Sequence, residues 1–138
     1  MVEPPEGRGL VDTSVVVGYE RVNFRQLPTE ISISTLTLAE LTAGPLATSD
    51  DLERARRQDR LQRFESGVES IPFTAECARA YGHVYAADLG SGRKPRGARA
   101  VDLMIASTAL AHDLPLYTLN AGDLRSLARL IKVVDVSA

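Results

Sequence analysis

Residues 9–17 of the chain read Gly-Leu-Val-Asp-Thr-Ser-Val-Val-Val, an apolar run that three polar residues interrupt. A short apolar run followed by residues that cap helices predicts a buried strand ending near Asp12, then a turn and a helix from about Ser14 toward Glu20. A strand that passes directly into a helix is the repeating unit of α/β domains. This stretch therefore indicates the fold class.

The same alternation of strand and helix continues along the chain. Residues 30–34 alternate at period two and predict a strand, and residues 36–43 predict a helix that stops at Gly44-Pro45. Further helices are predicted over about 48–66, 74–90 and 98–112, and short strands over 68–72, 115–118 and 131–136. We predict a single three-layer α/β/α domain over residues 9–138 with a mainly parallel central sheet, preceded by a flexible tail at residues 1–8.

Composition limits the class of protein. Of the 138 residues, 44% are hydrophobic and 25% charged, which is typical of a folded protein and not of a disordered one. The single cysteine, Cys77, excludes an internal disulfide and a cysteine-rich zinc site. There is no signal-peptide pattern, and no apolar run approaches the roughly 20 residues of a membrane span. We therefore expect a cytoplasmic protein.

Charge is unevenly distributed along the chain. The formal net charge is −2, which excludes a uniformly basic nucleic-acid binder. Residues 51–100 nevertheless carry an excess of basic over acidic residues, while both ends are acidic. An acidic site beside a basic surface fits a metal-dependent enzyme that acts on a polyanion, and the same distribution also fits an ordinary solvated helix.

Four acidic residues follow predicted strands or lie near the starts of helices: Asp12, Glu40, Asp102 and Asp123. Each has a structural explanation. Asp12 fits a helix N-cap, Glu40 a capping box with Thr37, Asp102 the favourable end of a helix dipole, and Asp123 a turn. Three of them follow strands, so all could meet outside the carboxyl end of the sheet, where ligands bind in such folds. Clustered carboxylates need a counter-charge, and Mg²⁺ or Mn²⁺ is the natural partner for oxygen ligands.

The order and separation of four segments around these acids make the chain resemble the PIN domain, specifically the VapC-type toxin ribonuclease of bacterial toxin–antitoxin pairs. The resemblance covers about residues 10–136. Its four segments are Val11-Asp-Thr-Ser14, Leu38-Ala-Glu-Leu-Thr-Ala-Gly44, Asp102-Leu-Met-Ile-Ala-Ser-Thr-Ala-Leu-Ala111 and Leu114-Pro-Leu-Tyr-Thr-Leu-Asn-Ala-Gly-Asp-Leu124.

The resemblance implies an endoribonuclease that depends on Mg²⁺ or Mn²⁺ and cleaves RNA with a metal-activated water, leaving a 5′-phosphate and a 3′-hydroxyl. It implies a homodimer and a small VapB-like antitoxin as partner. The four acids match the family's acidic quartet, with both catalytic and metal-binding roles. The pocket residues implied by the resemblance are Thr13, Ser14, Thr118 and Asn120. The chain departs from the family at Leu124, where an aromatic residue is common, and we interpret this as a packing position.

A basic segment precedes Asp102 and contains Arg93, Lys94, Arg96 and Arg99. We predict that this segment, with Arg96 and Arg99 as its main candidates, contacts RNA phosphates. The alternative is a solubilising loop.

Two other functions stay open on the sequence. One is a phosphotransfer domain of the receiver or haloacid-dehalogenase type, which also places acids at strand ends and would need a lysine such as Lys132. The other is a catalytically silent module that binds RNA or an antitoxin. The apolar helix that contains Asp102 does not suit the first, and the presence of all four acids argues against the second.

Overall fold

The structure is a computed structural model that describes residues 7–138. Residues 1–6, most of the predicted tail, lie outside the described residues, and the first strand already begins at Arg8. The strands are β1 (Arg8–Val11), β2 (Glu30–Ser34), β3 (Glu69–Ile71), β4 (Leu116–Thr118) and β5 (Val133–Asp135). The helices are α1 (Thr13–Val17), α2 (Thr35–Ala43), α3 (Asp51–Gly67), α4 (Ala75–Gly90) and α5 (Ala98–Ala111).

The five strands form one sheet in the order β3-β2-β1-β4-β5, and every neighbouring pair is parallel. The first strand is central, with β2 on one side and β4 on the other. The parallel arrangement brings the carboxyl ends of all five strands to the same edge. The predicted α/β class and parallel sheet are confirmed.

Two hydrophobic cores lie on the two faces of the sheet. On β1, Leu10 belongs to the core with α4 and α5, whereas the next residue, Val11, belongs to the core with α1, α2 and α3. Leu116 and Tyr117 alternate in the same way on β4. Successive side chains of a strand point to opposite faces, so a sheet that is apolar on both faces must be covered on both. This is the predicted three-layer arrangement.

Helix α1 is shorter than predicted. It ends at Val17, where the Gly18 N–H donates to the Ser14 carbonyl at 2.8 Å, and a separate 3₁₀ turn follows at Tyr19–Arg21. A Cβ at Gly18 would lie 2.6 Å from the Leu119 side chain and 2.9 Å from the Ser14 carbonyl oxygen. Gly18 thus lets the chain after β4 approach the end of α1 closely.

Across residues 7–138, no helix combines the length and the apolar character that crossing a bilayer requires.

Candidate active site

Three of the four predicted acids meet at the carboxyl edge of the sheet. Asp12 directly follows β1, Asp102 lies in the second turn of α5, and Asp123 lies in the 3₁₀ turn after β4. We call the space between them the acid cleft. Its lining residues are Asp12, Ser14, Asp102, Thr118, Asn120, Asp123 and Leu124.

Asp12 is held in place by its own helix. Its Oδ1 accepts from the Val15 N–H at 3.3 Å and from the Ser14 hydroxyl at 2.5 Å. It therefore is the N-cap of α1, the structural explanation that the sequence left open, and it also faces the cleft. Burial raises the pKa of Asp12 above its usual range, although hydrogen bonds from Ser14, Thr118 and Val15 act in the opposite direction. The hydrogen bonds of the helix cap do not fully offset the cost of burying the Asp12 charge. A neighbouring cation would lower this cost.

The hydroxyl groups of Ser14 and Thr118 hold the backbone of the segment after β4, which forms one wall of the acid cleft. Ser14 Oγ accepts from the Leu119 N–H at 3.0 Å, which joins α1 to the chain after β4. Thr118 Oγ1 accepts from the Asn120 N–H at 2.9 Å. The structure places Ser14, Thr118 and Asn120 in the cleft, whereas Thr13 lies beside it.

Asp102 has the most perturbed acidity of the site. Burial, followed by the negative charges of Asp12 and Glu40, raises the pKa of Asp102 to about 6, with a smaller contribution from Asp123 and an opposing one from Arg99. Since α5 begins at Ala98, Asp102 is not in the first turn, and a role at the helix dipole does not explain it. The electrostatic contacts identify the four acids as one interacting group.

Glu40 opens into a neighbouring cavity rather than into the acid cleft. Its Oε1 accepts from the Thr13 hydroxyl at 2.7 Å, and Thr13 also lies 3.0 Å from the Thr37 hydroxyl. Arg57 and Arg60 line this cavity with it. Helix α2 is capped by Ser34, so Glu40 is too far along the helix for a capping box.

Asp123 lies at the solvent side of the acid cleft. Its Oδ1 is 4.0 Å from Arg93 Nη1, and its side chain is 66% exposed. The adjacent Leu124 is buried in the core with α4 and α5 and also forms part of the cleft wall, so its side chain packs in the interior as the sequence led us to expect.

The residues of the cleft fit a hard divalent cation in their chemistry. Carboxylate, hydroxyl and amide side chains line one space, and burial followed by repulsion from the neighbouring carboxylates disfavours ionisation of Asp102. Within residues 7–138, however, no three Asp, Glu, His or Cys side chains stand close enough together to form a ready-made metal cage. An ion would therefore have to draw these side chains together.

The two arginines predicted to contact RNA have different surroundings. Arg96 is exposed, as the prediction requires. Arg99 instead directs its guanidinium into the domain, where Nη2 donates to Asp88 Oδ1 at 2.5 Å and Nε donates to Oδ2 at 3.3 Å. Its side chain is only 15% exposed, so it is committed to an internal ion pair and does not present its charge to a polyanion.

Asp88 was not singled out by the sequence analysis. It is fully buried on α4 and also accepts from the Ser126 hydroxyl at 2.9 Å. Through Arg99 and Ser126 it joins the segments that carry Asp102 and Asp123. Its position four residues after Val84, on the buried face of α4, is the signal that would have revealed it.

Lys132 lies at the other end of the sheet. It directly precedes β5 and lines a surface cavity with Asp113 and Pro115, residues that precede β4. Since the acids follow the carboxyl ends of the strands, Lys132 is not available to them. Lys132, the lysine named for the phosphotransfer alternative, therefore does not line the acid cleft.

Comparison with known proteins agrees with this geometry. The sequence model of the family described as PIN domain matches residues 10–130. Ribonuclease VapC5 of Mycobacterium tuberculosis is 31% identical over 113 residues, which cover 80% of this chain and 81% of that protein. Ribonuclease VapC2 of Rickettsia felis is 33% identical over 115 residues, which cover 82% of this chain and 80% of that protein.

A solved structure has a similar backbone. The crystal structure of VapBC-5 from Mycobacterium tuberculosis, a member of the VapBC family of toxin–antitoxin systems, contains a chain with a TM-score of 0.79 and 28% identity to this one. The match covers 94% of this chain and 98% of that chain. The likeness therefore extends over nearly the whole domain.

Proposed function

The chain belongs to the PIN domain family, and on that premise we propose that it is a VapC-type toxin, a Mg²⁺- or Mn²⁺-dependent endoribonuclease neutralised by a VapB-like antitoxin. The observation that carries the proposal is the acid cleft, in which Asp12, Asp102 and Asp123 line one space at the carboxyl edge of the sheet. The raised pKa of Asp102, caused by burial and by the neighbouring carboxylates, agrees with this geometry. Such a group of carboxylates costs free energy unless a cation is bound among them. Relatives named as VapC ribonucleases give the substrate class.

Asp12 and Asp102 would hold the cation, with Asp123 at the solvent side of the cleft. Glu40 would complete the set by turning from the neighbouring cavity toward Asp102, whose pKa its charge already raises. When bound, a divalent ion supplies Lewis-acid activation of a water and offsets the charge that develops on the phosphate. Cleavage by such a water leaves a 5′-phosphate and a 3′-hydroxyl.

The protein's own groups orient these acids. The Ser14 hydroxyl and the Val15 N–H hold Asp12 Oδ1 in place. The Thr13 hydroxyl fixes Glu40 Oε1 at the edge of the site. These bonds orient the individual carboxylates, while the ion would still have to draw them together.

The proposal includes the molecular partners. A VapB-like antitoxin is supported by the similar chain found in the VapBC-5 structure. We also propose a cytoplasmic homodimer. The residues Leu46 and Leu52 are 85% and 62% exposed, and they provide apolar surface that such contacts would cover.

The test is to incubate the purified protein, freed of antitoxin, with total cellular RNA, with Mg²⁺, with Mn²⁺ and with a chelator. Discrete fragments with 5′-phosphate ends should form only with metal and should disappear for Asp102→Asn. Asp113→Asn, the same change at the opposite end of the sheet, should leave cleavage unchanged. If no fragments form with any metal while the fold is intact, the enzyme proposal is wrong and a silent binding module is favoured.

A further inference from the structure

A second cavity adjoins the acid cleft on the side of Asp123. Its volume is about 220 Å³, and we call it the arginine cavity. Its lining residues are Ser91, Arg93, Gly122, Asp123, Arg125 and Ser126. Because Asp123 lines both spaces, the arginine cavity and the acid cleft are direct neighbours.

Two guanidinium groups are held against the same turn of the chain. Arg93 Nη1 donates to the Asp123 carbonyl at 3.4 Å, and Arg125 Nε donates to the Gly122 carbonyl at 3.2 Å. Arg93 Nη1 also lies 4.0 Å from Asp123 Oδ1, so its charge is partly offset. A guanidinium has five N–H donors, and these contacts leave most donors of each group for a ligand. Two oriented arginines form a phosphate-binding arrangement, since the fork of donors matches phosphate oxygens.

The two serines line the arginine cavity, but their hydroxyl groups do not offer hydrogen-bond donors to a ligand. The Ser126 hydroxyl donates to Asp88 Oδ1 at 2.9 Å, and the Ser91 hydroxyl donates to the Asp88 carbonyl at 2.6 Å. Both hydroxyl protons are thus committed to Asp88. The arginines therefore supply the ligand-binding charge of this cavity.

We propose that the arginine cavity binds a backbone phosphate of the RNA, next to the linkage that is cut at the acid cleft. This inference rests on the proposed function and extends it. An RNA strand that approaches four carboxylates is repelled by them, and a cationic subsite on one side offsets this repulsion and sets the strand's position. The continuity of the two spaces through Asp123 favours the substrate's own backbone over an unconnected anion.

In this proposal Arg125, which the sequence did not suggest, takes the phosphate-binding role that was predicted for Arg99. Arg93 and Arg125 belong to segments on opposite sides of α5, and only the fold brings them to one cavity. Arg99, in the same basic segment as Arg93, is occupied by Asp88.

The test measures binding apart from cleavage. In an Asp102→Asn background, the affinity for a short fluorescein-labelled single-stranded RNA is measured by anisotropy across a salt series, with and without Arg93→Gln and Arg125→Gln together. We expect the double variant to bind about ten-fold more weakly, the loss expected for a charge-assisted contact. The slope of log affinity against log salt should fall in magnitude by about 0.7, the value for one phosphate of a single strand.

A matched control removes the same charge elsewhere. Arg56 and Arg79 are exposed on α3 and α4, so Arg56→Gln with Arg79→Gln changes the net charge equally and should leave the salt slope unchanged. Arg93→Lys with Arg125→Lys keeps the charge but not the forks and should restore only part of the affinity. In the otherwise unaltered enzyme, the glutamine pair should raise KM while kcat is retained.

Two results would overturn the subsite. The first is that the glutamine pair binds RNA as the control pair does, while the unaltered enzyme still cleaves. This would reject the arginine cavity and keep the nuclease. The second is that the pair loses affinity for the antitoxin but not for RNA, which would assign the cavity to an acidic peptide. Absence of both RNA binding and cleavage in the unaltered protein would instead reject the proposed function, and the subsite with it.

Discussion

Asp88 lies on α4 and Asp102 lies on α5, the next helix in the chain. Their surroundings shift the pKa values of the two carboxyl groups in opposite directions. Asp88 is fully buried between α4 and α5, and hydrogen bonds from Arg99 hold its pKa below the usual range despite burial, with Ser126 contributing in the same direction. Asp102 is exposed at the acid cleft, where partial desolvation of its carboxyl group, followed by the neighbouring carboxylates, raises its pKa to about 6.

The difference separates an acid whose charge is balanced within the domain from one that the proposed function assigns to the metal site. Asp88 has its counter-charge and its hydrogen bonds within the domain, so it needs no ligand. The acid cleft concentrates negative charge without an equivalent internal partner, which is the arrangement expected where a ligand supplies the missing charge. The two also differ in exposure, since Asp88 is fully buried and Asp102 is exposed. The direction of each pKa shift nevertheless follows from the neighbours of the carboxylate, because the more buried aspartate has the lowered pKa.

The largest expected effect concerns the acid cleft. Asp12→Asn should reduce metal-dependent RNA cleavage about 1,000-fold, because loss of a metal-binding carboxylate removes several kcal/mol of transition-state stabilisation. Asparagine is also a good N-cap, so α1 and the fold should persist, which circular dichroism checks. Cleavage that survives this change would remove Asp12 from the metal site.

The next effect concerns the buried pair. Asp88→Asn should lower the free energy of unfolding by about 3 kcal/mol, because the Arg99 charge is left in the interior without its partner. Urea denaturation measures the change. A loss below about 1 kcal/mol would show that water reaches Arg99 and that the pair does not stabilise the α4–α5 contact.

A smaller expected effect is the pH dependence of the free energy of unfolding, which should differ between Asp102 and Asp88. The folded pKa of Asp102 lies above its ordinary 3.8, so the protonated form favours folding. Without metal, the stability that Asp102 contributes is complete below about pH 4 and is lost as pH rises through about 6. The expected loss is about 1 kcal/mol, reduced from the full shift because the carboxylate is exposed to solvent.

Asp88 should respond in the opposite direction. Its folded pKa is lowered, so its contribution is present above the ordinary value of 3.8 and is lost as pH falls through the folded pKa. Unfolding curves in chelator for the unaltered protein, Asp102→Asn and Asp88→Asn should separate the two dependences. An Asp102→Asn protein with an unchanged profile between pH 4 and 6 would contradict the assignment.

The smallest expected effect is at the surface. Asp59 and Arg63 form an ion pair at 3.0 Å on α3 with both side chains more than half exposed. Asp59→Asn should change the free energy of unfolding by less than about 0.5 kcal/mol, because solvent screens the pair. It is the matched control for Asp88→Asn, and a comparable loss in both would remove the contrast between the interior pair and surface pairs.

Much of the site was predictable because its residues follow local patterns. Asp12, Glu40 and Asp123 come after strands or in the helix that follows one, and a parallel sheet brings such positions to one edge. The sequence could not separate Glu40, which opens into a neighbouring cavity, from the acids of the cleft, since that depends on how α2 is rotated against the sheet. The roles of Thr13, Ser14, Thr118 and Asn120 in catalysis stay predictions.

The sequence by itself determined the alternation of strands and helices, the two-sided burial of the sheet and the end of the sheet at which the acids lie. These features depend on short-range patterns of apolar and capping residues, which act within a few positions. Only the tertiary structure decided that Arg99 pairs with Asp88, and that Arg93 and Arg125 share a cavity beside Asp123. Charges of the same type are indistinguishable in a sequence, and what each does depends on which distant groups the packed helices bring within a few ångströms of it.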